Sequence, residues 1–463
     1  MTTLAHAFAR RLARWAASLL LLTTAALLAE PPRPAPLADG ERIVCFGDSI
    51  THGGSYILYA QLFCDLRRPG SNITFLNAGI SGDSAGGGVG RWGHDVAPMK
   101  PDRVLVMFGM NDVGRHNYAN NQPNDKQQAG RKRSLENYEN NQRRLAEMLL
   151  QAGKTPILIT PSPYDQYGTA PTAPNLVACN DPGLAACAAI VRRLAAEKNL
   201  ATVEFHRPMT ALLQAHPEMK LCGNDRVHPG NEGHLLMAAL LLQALQADAT
   251  VADVTLDGAQ TRIAAVRNAT VSDLRRQGRG LAFRYAPHAL PFPVSAEYRK
   301  VDAIFPLTDT LNREVVRITG LPDGTYVLKA NGKRLSDVTA AQLAAGVNLA
   351  LLDTPSQAKA KEADRLMREL RPIVSQLRNI PYMNLTVRRR KGNPDDQADS
   401  FRVLDEWIAE REKAKDAHLN YYRWVVKSYK EQRPKLAERE ARVAELRRQM
   451  AAIRPEAYEL VVE

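Results

Sequence analysis

Five short apolar runs, separated by amphipathic stretches, limit the folds available to the first half of the chain. Each run is nearly continuous in apolar character, as is typical of strands buried on both faces. The runs occupy residues 42–46, 73–78, 103–108, 156–160 and 201–205. Between them, residues 55–66 and 134–152 place apolar side chains on one side of a helix. This alternation predicts an α/β fold over residues 41–247, with a parallel sheet between helices.

The second half of the chain has a different pattern. A length of 463 residues predicts more than one domain. Residues 248–355 show short alternating runs and predict a small β-rich accessory region, in which "EVVRITGLPDGTYVLKANGKRL" predicts a three-stranded antiparallel meander with a tight turn at Asn331 and Gly332. Residues 356–463 predict a charged helical extension with two helical regions, separated by the basic, loop-like stretch "RRRKGNPDDQ". The second region, from Phe401 to about Met450, is predicted to be broken at Pro434 into an antiparallel pair.

The chain begins with the pattern of a secretory signal peptide. Arg10, Arg11 and Arg14 precede an apolar stretch over residues 15–29 that is short for a membrane span. We predict a signal peptide over residues 1–29 and a proline-rich linker over residues 30–40. The alternative is an uncleaved N-terminal anchor. With either a cleaved signal peptide or an anchor, the rest of the chain is expected outside the cytoplasm, secreted or periplasmic. Cleavage of the signal peptide would leave a protein that is not stably inserted in the membrane.

Charge and cysteine content exclude several partners. The net charge is +12, but the helical extension carries both signs and no row of aromatic residues accompanies the basic ones, so no nucleic-acid partner is predicted. The five cysteines show no zinc-binding spacing, and neither a metal nor another cofactor is predicted. Cys179 and Cys187 flank a turn, which leaves a local disulfide open. Cys45 lies in the first strand and is expected to be buried.

Polar residues suited to acyl transfer lie at the ends of these strands. Ser49 follows the first strand in "VCFGDSITHGG", Gly82 follows the second, and Asn111 follows the third. In parallel sheets the carboxyl ends of the strands form the ligand crevice. Asp225 and His228 stand three apart, a spacing that lets the carboxylate orient the imidazole. Without such partners, Ser49 would only cap a helix.

The stretches "FGDSI", "NAGISGDS", "GMND" and "DRVHP" resemble, in this order, the four blocks of the SGNH/GDSL hydrolases. The resemblance implies a flavodoxin-like three-layer αβα sandwich that hydrolyses an ester or thioester without metal. It assigns Ser49 as nucleophile, His228 as base and Asp225 as the acid that orients it. It places the oxyanion hole at the Ser49 and Gly82 N–H groups and the Asn111 side chain. Met110 stands where the family often has glycine.

Neighbouring residues have simpler expected roles. His52, His94 and His116 are predicted to be polar loop residues rather than a second base. Asp48 and Asp112 are predicted to hold their turns through backbone hydrogen bonds.

Three features favour a small acyl group on a sugar as the substrate. An exported protein encounters polysaccharides outside the cell. No apolar lid helix for long acyl chains is evident in the sequence. Residues 320–355 resemble an accessory region of exported bacterial family members that act on glycans. A polar loop over residues 114–134 is predicted to form a rim with Tyr118. Tyr164 and Tyr167 are predicted to lie near it, and Trp92 either lines the pocket or packs beneath it.

These features predict a carbohydrate O-acetylesterase. A lipid esterase, lysophospholipase or thioesterase of the same fold is the alternative enzyme. A glycan-binding scaffold is the alternative without catalysis. The oligomeric state is left open.

Overall fold

The five predicted strands form one parallel sheet. In the computed structural model, which describes residues 31–169 and 171–463, the strand order is β2-β1-β3-β4-β5. The strands are β1 (Arg42–Gly47), β2 (Thr74–Gly79), β3 (Arg103–Met107), β4 (Thr155–Ile159) and β5 (Thr202–Val203). This is the flavodoxin-like order, which reverses direction beside β1 and opens a crevice at the carboxyl ends of the strands. The predicted fold class is confirmed.

Helices flank this sheet. They are α1 (Ser49–Gly53), α2 (Ser55–Arg67), α3 (Ala85–Arg91), α4 (Asp125–Gln151), α5 (Ala185–Glu197), α6 (His206–Ala215) and α7 (Asn231–Ala244). α2 packs against α7, whereas α3 and α5 pack against α4. The inner strands β1, β3 and β4 are almost completely buried, as their continuous apolar character predicts, whereas the edge strand β2 is partly exposed.

The helix predicted from Ser134 begins earlier, at Asp125. Asn124 caps α4 by accepting the Gln127 N–H, and the Gln127 side chain accepts the Asn124 N–H in return. This capping box fixes the first turn of the helix. The predicted polar loop over residues 114–134 is therefore wrong in its second half, which is helical and cannot form an extended rim.

Two further sheets follow, with the orders β13-β10-β6-β7 and β12-β11-β14-β9-β8. Their strands are β6 (Thr250–Asp257), β7 (Arg262–Arg267), β8 (Ala269–Gln277), β9 (Gly280–Pro287), β10 (Arg313–Thr319), β11 (Thr325–Ala330), β12 (Lys333–Thr339), β13 (Val347–Asn348) and β14 (Tyr458–Val462). Both sheets lie outside the parallel sheet, so the predicted β-rich region is present.

The predicted three-stranded meander is wrong. β11 and β12 form the expected hairpin, and Asn331 and Gly332 both have positive φ, at 46° and 78°. β10 belongs to the other sheet, where it pairs with β6 and β13. The alternating pattern identifies strands, but it does not say which strands pair.

The C-terminal region is largely helical, as predicted, but it ends in a strand. Together with the shorter helices before it, the helices are α8 (Ala296–Asp302), α9 (Leu307–Leu311), α10 (Ala340–Ala345), α11 (Pro355–Leu377), α12 (Asn379–Arg389), α13 (Gln397–Lys413), α14 (Leu419–Gln432) and α15 (Leu436–Ala452). One break separates α13 from α14, and Pro434 lies in a second break before α15. The predicted single break at Pro434 is therefore incomplete.

One apolar core joins the parallel sheet to the C-terminal helices. It contains Phe292 from the segment before α8, Leu366 and Leu370 from α11, and Met450 from α15. α11 packs against both α2 and α15. The helical extension is thus packed on the α/β unit through buried side chains.

The predicted linker over residues 30–40 also lies against the α/β unit where it is described. The carbonyl of Pro34 accepts the Gln246 amide, and the carbonyls of Ala35 and Pro36 accept the Arg103 guanidinium. The predicted signal peptide, residues 1–29, lies outside the described residues. Within the described residues, no helix combines the length and apolar character needed to cross a membrane.

All five cysteines are buried free thiols. Cys179 and Cys187 do not form the local disulfide that the sequence left open. Across residues 31–169 and 171–463, no group of His, Cys, Asp and Glu side chains is arranged to hold a metal ion.

Candidate active site

Ser49 is the first residue of α1, directly after the end of β1. Asp48 caps this short helix by accepting the Ile50 N–H at 3.0 Å. Gly47 has no room for a side chain, because a Cβ there would lie 2.5 Å from the Met107 carbonyl oxygen. The tight turn from strand to helix presents the Ser49 hydroxyl at the carboxyl edge of the sheet.

The Ser49 hydroxyl contacts a histidine from a distant part of the chain. Its Oγ lies 2.7 Å from His228 Nε2, and His228 Nδ1 lies 2.5 Å from Asp225 Oδ2. The other oxygen of Asp225 accepts the N–H groups of Val227 and His228, both at 3.0 Å. Serine, imidazole and carboxylate therefore form a continuous hydrogen-bonded series, the arrangement required for nucleophilic catalysis.

Asp225 is held in its ionised form. Burial acts to raise the pKa of this carboxyl, but the hydrogen bonds from His228 and from the Val227 and His228 backbone outweigh burial. Its pKa therefore lies well below the ordinary value. An ionised Asp225 accepts the Nδ1 proton, which leaves Nε2 free to accept the proton of Ser49.

Gly82 carries a free backbone donor beside this series. In the turn after β2, the Ile80 N–H bonds the Gly47 carbonyl, the Ser81 N–H bonds His52 and the Asp83 N–H bonds the Ile80 carbonyl. The Gly82 N–H has no acceptor among the described residues. The space around Gly82 is open and would admit a side chain. Its positive φ of +75° is therefore what favours glycine at this position.

Asn111 braces the same turn. One Nδ2–H donates to the Asp83 carbonyl at 2.8 Å. A side-chain amide has two N–H donors, so the second remains for a ligand. The structure thus brings together Ser49, Gly82, Asn111, Asp225 and His228 as the sequence predicted, although their catalytic roles stay predictions.

Comparison with known proteins agrees with this geometry. Residues 45–236 match the GDSL-like Lipase/Acylhydrolase family. The chain contains a GDSL-like hydrolase domain. An acetylxylan esterase of Geobacillus stearothermophilus is 27% identical over 236 residues, which cover 45% of this chain and 95% of that esterase. The protein is thereby assigned as a carboxylic ester hydrolase related to acetylxylan esterase.

One solved structure matches far beyond the GDSL-like domain. A gut microbial diltiazem-metabolizing enzyme has a TM-score of 0.83 and 25% identity, and the match covers 94% of this chain and 99% of that one. Such coverage includes the two further sheets and the C-terminal helices. The whole architecture therefore recurs in that enzyme.

Two arginines that the sequence analysis missed hold the loops of the GDSL-like domain. Arg226, with φ of +64°, donates to the carbonyls of Asp165, Gly168 and Ala173 and ties the loop after β4 to the Asp225–His228 turn. Arg91 is fully buried. It donates to Asp83 at 2.7 Å and to the Gly47 carbonyl at 2.9 Å, which links the turn after β2 to the end of β1.

The sequence contains only a weak indication that these two arginines hold loops together. Arg226 lies inside the quoted "DRVHP" block, but the block pattern says nothing about its side chain. Arg91 follows a glycine-rich stretch in which nothing marks it as buried.

The buried arginine network extends into the helical extension. Asp95 pairs with Arg91 at 2.5 Å and with Arg378 at 2.7 Å. Arg378, at the start of α12, also donates to the Gly79 carbonyl at 3.1 Å. The turn after β2 is therefore supported by residues almost 300 positions away.

His52 is a second link to the extension. It lies in α1 and is buried, not in a loop as predicted. Its Nδ1 accepts the Ser81 N–H, so the proton of the neutral ring is on Nε2, which donates to the Ser375 carbonyl. Burial and the nearby Arg378 lower the pKa of His52 to about 4, which keeps the ring neutral.

Asp48 and Asp112 are buried carboxyls with raised pKa values. Burial raises the pKa of Asp48 to about 6 and that of Asp112 to about 7. Both accept backbone N–H groups, from Ile50 and Ala85 respectively. These bonds agree with the predicted role of holding turns.

The predicted aromatic rim is wrong at Tyr118 and Tyr164, which are each 2% exposed. Trp92 packs in the main core, which is one of the two positions left open for it. Arg131 covers the Tyr118 ring, and the Tyr164 hydroxyl is bonded within its own loop. Tyr167 is half-buried against the core. Tyr118 and Tyr164 offer no open ring face on which a sugar could stack.

Two cavities adjoin the candidate site instead. One, of about 470 Å³, is lined by Ser49 and His228 together with Arg371, Pro372 and Ser375 of α11. The other, of about 420 Å³, lies between Gly82 and helices α12–α14. Both have one wall from the helical extension, so residues 355–463 help to shape the surroundings of Ser49.

Proposed function

We propose that this protein is an exported serine esterase that removes acetyl or other small acyl groups from carbohydrate. The observation that carries the proposal is the 2.7 Å contact between Ser49 Oγ and His228 Nε2, two residues 179 positions apart in sequence. Support for an acetyl group on sugar comes from the relation to an acetylxylan esterase.

In the proposed mechanism, His228 Nε2 takes the proton of Ser49 as Oγ bonds to the carbonyl carbon of the ester. The oxygen of that carbonyl becomes an oxyanion, which accepts hydrogen bonds from the Ser49 and Gly82 N–H groups and from Asn111. When the intermediate collapses, the bond to the sugar oxygen breaks and His228 protonates it. Water then attacks the acyl-enzyme by the same steps and releases the acid.

Asp225 has an electrostatic and orienting role throughout. It holds the Nδ1 proton and stabilises the imidazolium that forms when Ser49 loses its proton. The carboxylate stays ionised because of its lowered pKa.

The lining of the cavity beside Ser49 favours a small acyl group. Its members are mainly polar residues, glycines and prolines, such as Ser55, Gly230 and Asn231. A pocket for a long acyl chain would be lined by large apolar side chains.

A fluorophosphonate probe and an acyl-length series test the proposal. The wild type should be labelled on Ser49, whereas a correctly folded Ser49→Ala variant should not be. With 4-nitrophenyl esters, kcat/KM should be highest for acetate and fall with chain length. Rates that rise with chain length would favour a lipid esterase or a lysophospholipase and contradict the acetylesterase assignment.

Substrate identity and export need separate measurements. Acetate release from acetylated xylo-oligosaccharides is expected with the wild type and not with Ser49→Ala. N-terminal sequencing of the protein from the host of origin should give a chain that begins near residue 30. A cytoplasmic protein that retains residues 1–29 would contradict export and leave the esterase assignment intact.

A further inference from the structure

A basic cavity lies next to the turn from Ile80 to Asp83, the proposed oxyanion turn, and apart from Gly82 no residue of its lining takes part in the proposed mechanism. Its volume is about 420 Å³, within the usual range for small-molecule pockets. One wall is the turn from Ile80 to Asp83, and the other is the helical extension. The extension contributes Tyr382, Arg389, Arg390, Trp407, Arg411 and Tyr422. We call this the basic cavity.

Positive charge exceeds negative charge in this cavity. Arg390 pairs with Glu410, and Arg411 pairs with Asp416 at 2.6 Å. Arg389 forms no ion pair with any described residue. The one carboxylate in the lining, Asp83, is neutralised by the buried guanidinium of Arg91 at 2.7 Å. The cavity therefore holds an arginine available to an anion.

Aromatic rings surround these charges. Arg411 stacks over Trp407 at 5.5 Å and over Tyr422 at 5.3 Å from the ring centroids. Stacking holds the guanidinium plane in a fixed orientation. Arg411 is thus occupied by Asp416 and by the two rings, which leaves Arg389 as the arginine of the cavity that can bind a planar oxyanion.

The aromatic surface continues beyond the cavity. Tyr421 and Trp424 are 37% and 55% exposed, and their ring centroids lie 6.1 Å apart on one face of α14. The Tyr421 ring centroid lies 5.7 Å from that of Tyr422, which lines the cavity, so the exposed rings continue from the cavity wall. Contiguous exposed apolar surface can mark a binding site.

We propose that the basic cavity binds an anionic sugar residue of the substrate, so that the esterase acts on acylated acidic polysaccharide. The inference rests on the proposed function. Gly82 lies both in the oxyanion turn and in the cavity wall. When the ester oxygen of one sugar residue lies at Ser49, the acidic group of that residue, or of the next residue in the polymer, would therefore lie at Arg389. Carboxylate and sulfate groups share the chemistry that arginine recognises.

The first test compares two substrates of the full-length enzyme. Acetylated oligogalacturonides should have a kcat/KM at least about tenfold above that of acetylated xylo-oligosaccharides of the same length, a ratio worth about 1.4 kcal/mol. Arg389→Gln should bring this ratio close to one. The preference should also shrink as NaCl is raised, because salt screens the attraction.

Arg388→Gln is the matched control, because Arg388 is the exposed neighbour of Arg389 and does not line the cavity. It should keep the wild-type ratio. Equal rates on both substrates, unchanged in Arg389→Gln, would overturn the inference and leave the acetylesterase function standing. Hydrolysis of 4-nitrophenyl acetate without hydrolysis of either acetylated sugar would instead contradict the proposed function.

A binding measurement decides the inference independently of turnover. Ser49→Ala should bind deacetylated oligogalacturonide or sulfated xylo-oligosaccharide in calorimetry, and the double variant Ser49→Ala/Arg389→Gln should bind at least about fivefold more weakly. Stronger binding of the first ligand identifies a carboxylate, and stronger binding of the second identifies a sulfate. Binding of neither above the level of neutral xylo-oligosaccharide would overturn the proposal.

Discussion

At the scale of single residues, the candidate site depends on how each polar group is paired. Ser49, His228 and Asp225 form one series, and Asp225 is held there by two backbone N–H groups besides the imidazole. Each bond also fixes which atoms carry protons. A substitution that preserves shape but alters a donor can therefore be more informative than a truncation.

Asp225→Asn should lower kcat on 4-nitrophenyl acetate by about 10⁴-fold. The amide oxygen can still accept the two backbone N–H groups, but the amide nitrogen would donate to His228 Nδ1. The imidazole would then carry its proton on Nε2 and could not accept the proton of Ser49. Glu218→Gln, at an exposed acid on the preceding segment, should keep wild-type kcat. Nearly normal activity in Asp225→Asn would contradict the assigned role.

Asp112 should make the protein less stable as pH rises. Burial raises the pKa of this carboxyl to about 7, above the ordinary value near 3.9, so its stabilising contribution is present at low pH. That contribution is lost as pH rises through the folded-state value. The Tm of the wild type should therefore fall relative to that of Asp112→Asn between about pH 4 and pH 7. Parallel Tm curves for the two proteins would contradict this.

The sequence predicted the candidate catalytic residues better than it predicted their surroundings. Acyl transfer needs particular residue types at strand ends and in a fixed order. The sequence therefore identified five candidates: Ser49, Gly82, Asn111, Asp225 and His228. Tyr118 and Tyr164 could not be placed, since an aromatic residue after a strand can point into the core or toward a ligand. The direction is decided by packing with distant segments.

At the scale of secondary-structure elements, the junction of α11 and α12 is the main support of the site from outside the GDSL-like domain. Arg378 pairs with Asp95 through two bonds of 2.9 and 2.7 Å and reaches the Gly79 carbonyl. The Ser375 carbonyl accepts His52. The two contacts fix the start of the oxyanion turn against the extension.

Arg378→Met should lower the free energy of unfolding by about 3 kcal/mol, because it leaves Asp95 buried with only Arg91 as a cationic partner. Urea denaturation followed by circular dichroism would measure the loss. Arg365→Met removes an exposed arginine of α11, 67% exposed, and should cost no more than about 0.5 kcal/mol. Equal stabilities of the two variants would contradict a supporting role for Arg378.

The bounds of elements were predicted well where the signal is local. β1 and α2 agree closely with the apolar pattern of the sequence. The start of α4 was missed, although its capping box is visible in the sequence. Strand partners were missed because pairing depends on contacts between segments far apart in the chain, as for β10.

At the scale of the whole molecule, the three predicted regions share structure. α11 and α15 pack into the main core, and β14 lies between β11 and β9. A boundary at residue 355 therefore divides both a core and a sheet. Composition changes sharply at that residue, yet the folded unit continues across it.

A chain that ends at residue 355 should fail to fold. β9 and β11 would lose the strand between them, and the α/β unit would expose the surface that α11 covers. We expect aggregation in size-exclusion chromatography and no cooperative thermal transition. A monomeric, active truncated protein would show instead that the regions are independent.

Leu460→Ala gives a milder version of this test in the full chain. Leu460 is fully buried in a second apolar core, formed mainly by side chains of the two further sheets. Its truncation should lower the free energy of unfolding by about 2–5 kcal/mol. Glu459→Ala, at a half-exposed neighbour paired with Arg275, should cost at most about 1 kcal/mol. Similar losses for the two variants would contradict the central position of β14.

The position of β14 also sets the order of events during synthesis. Residues 458–462 are made after both of their neighbouring strands, and until then β9 and β11 each have an open edge that can pair with other chains. The sheet that contains these strands can close only after residues 458–462 have left the ribosome. The pairing of strands in the parallel sheet has no such requirement, since all five of these strands precede residue 204. Any chaperone that binds this nascent chain should therefore be found on β9 and β11.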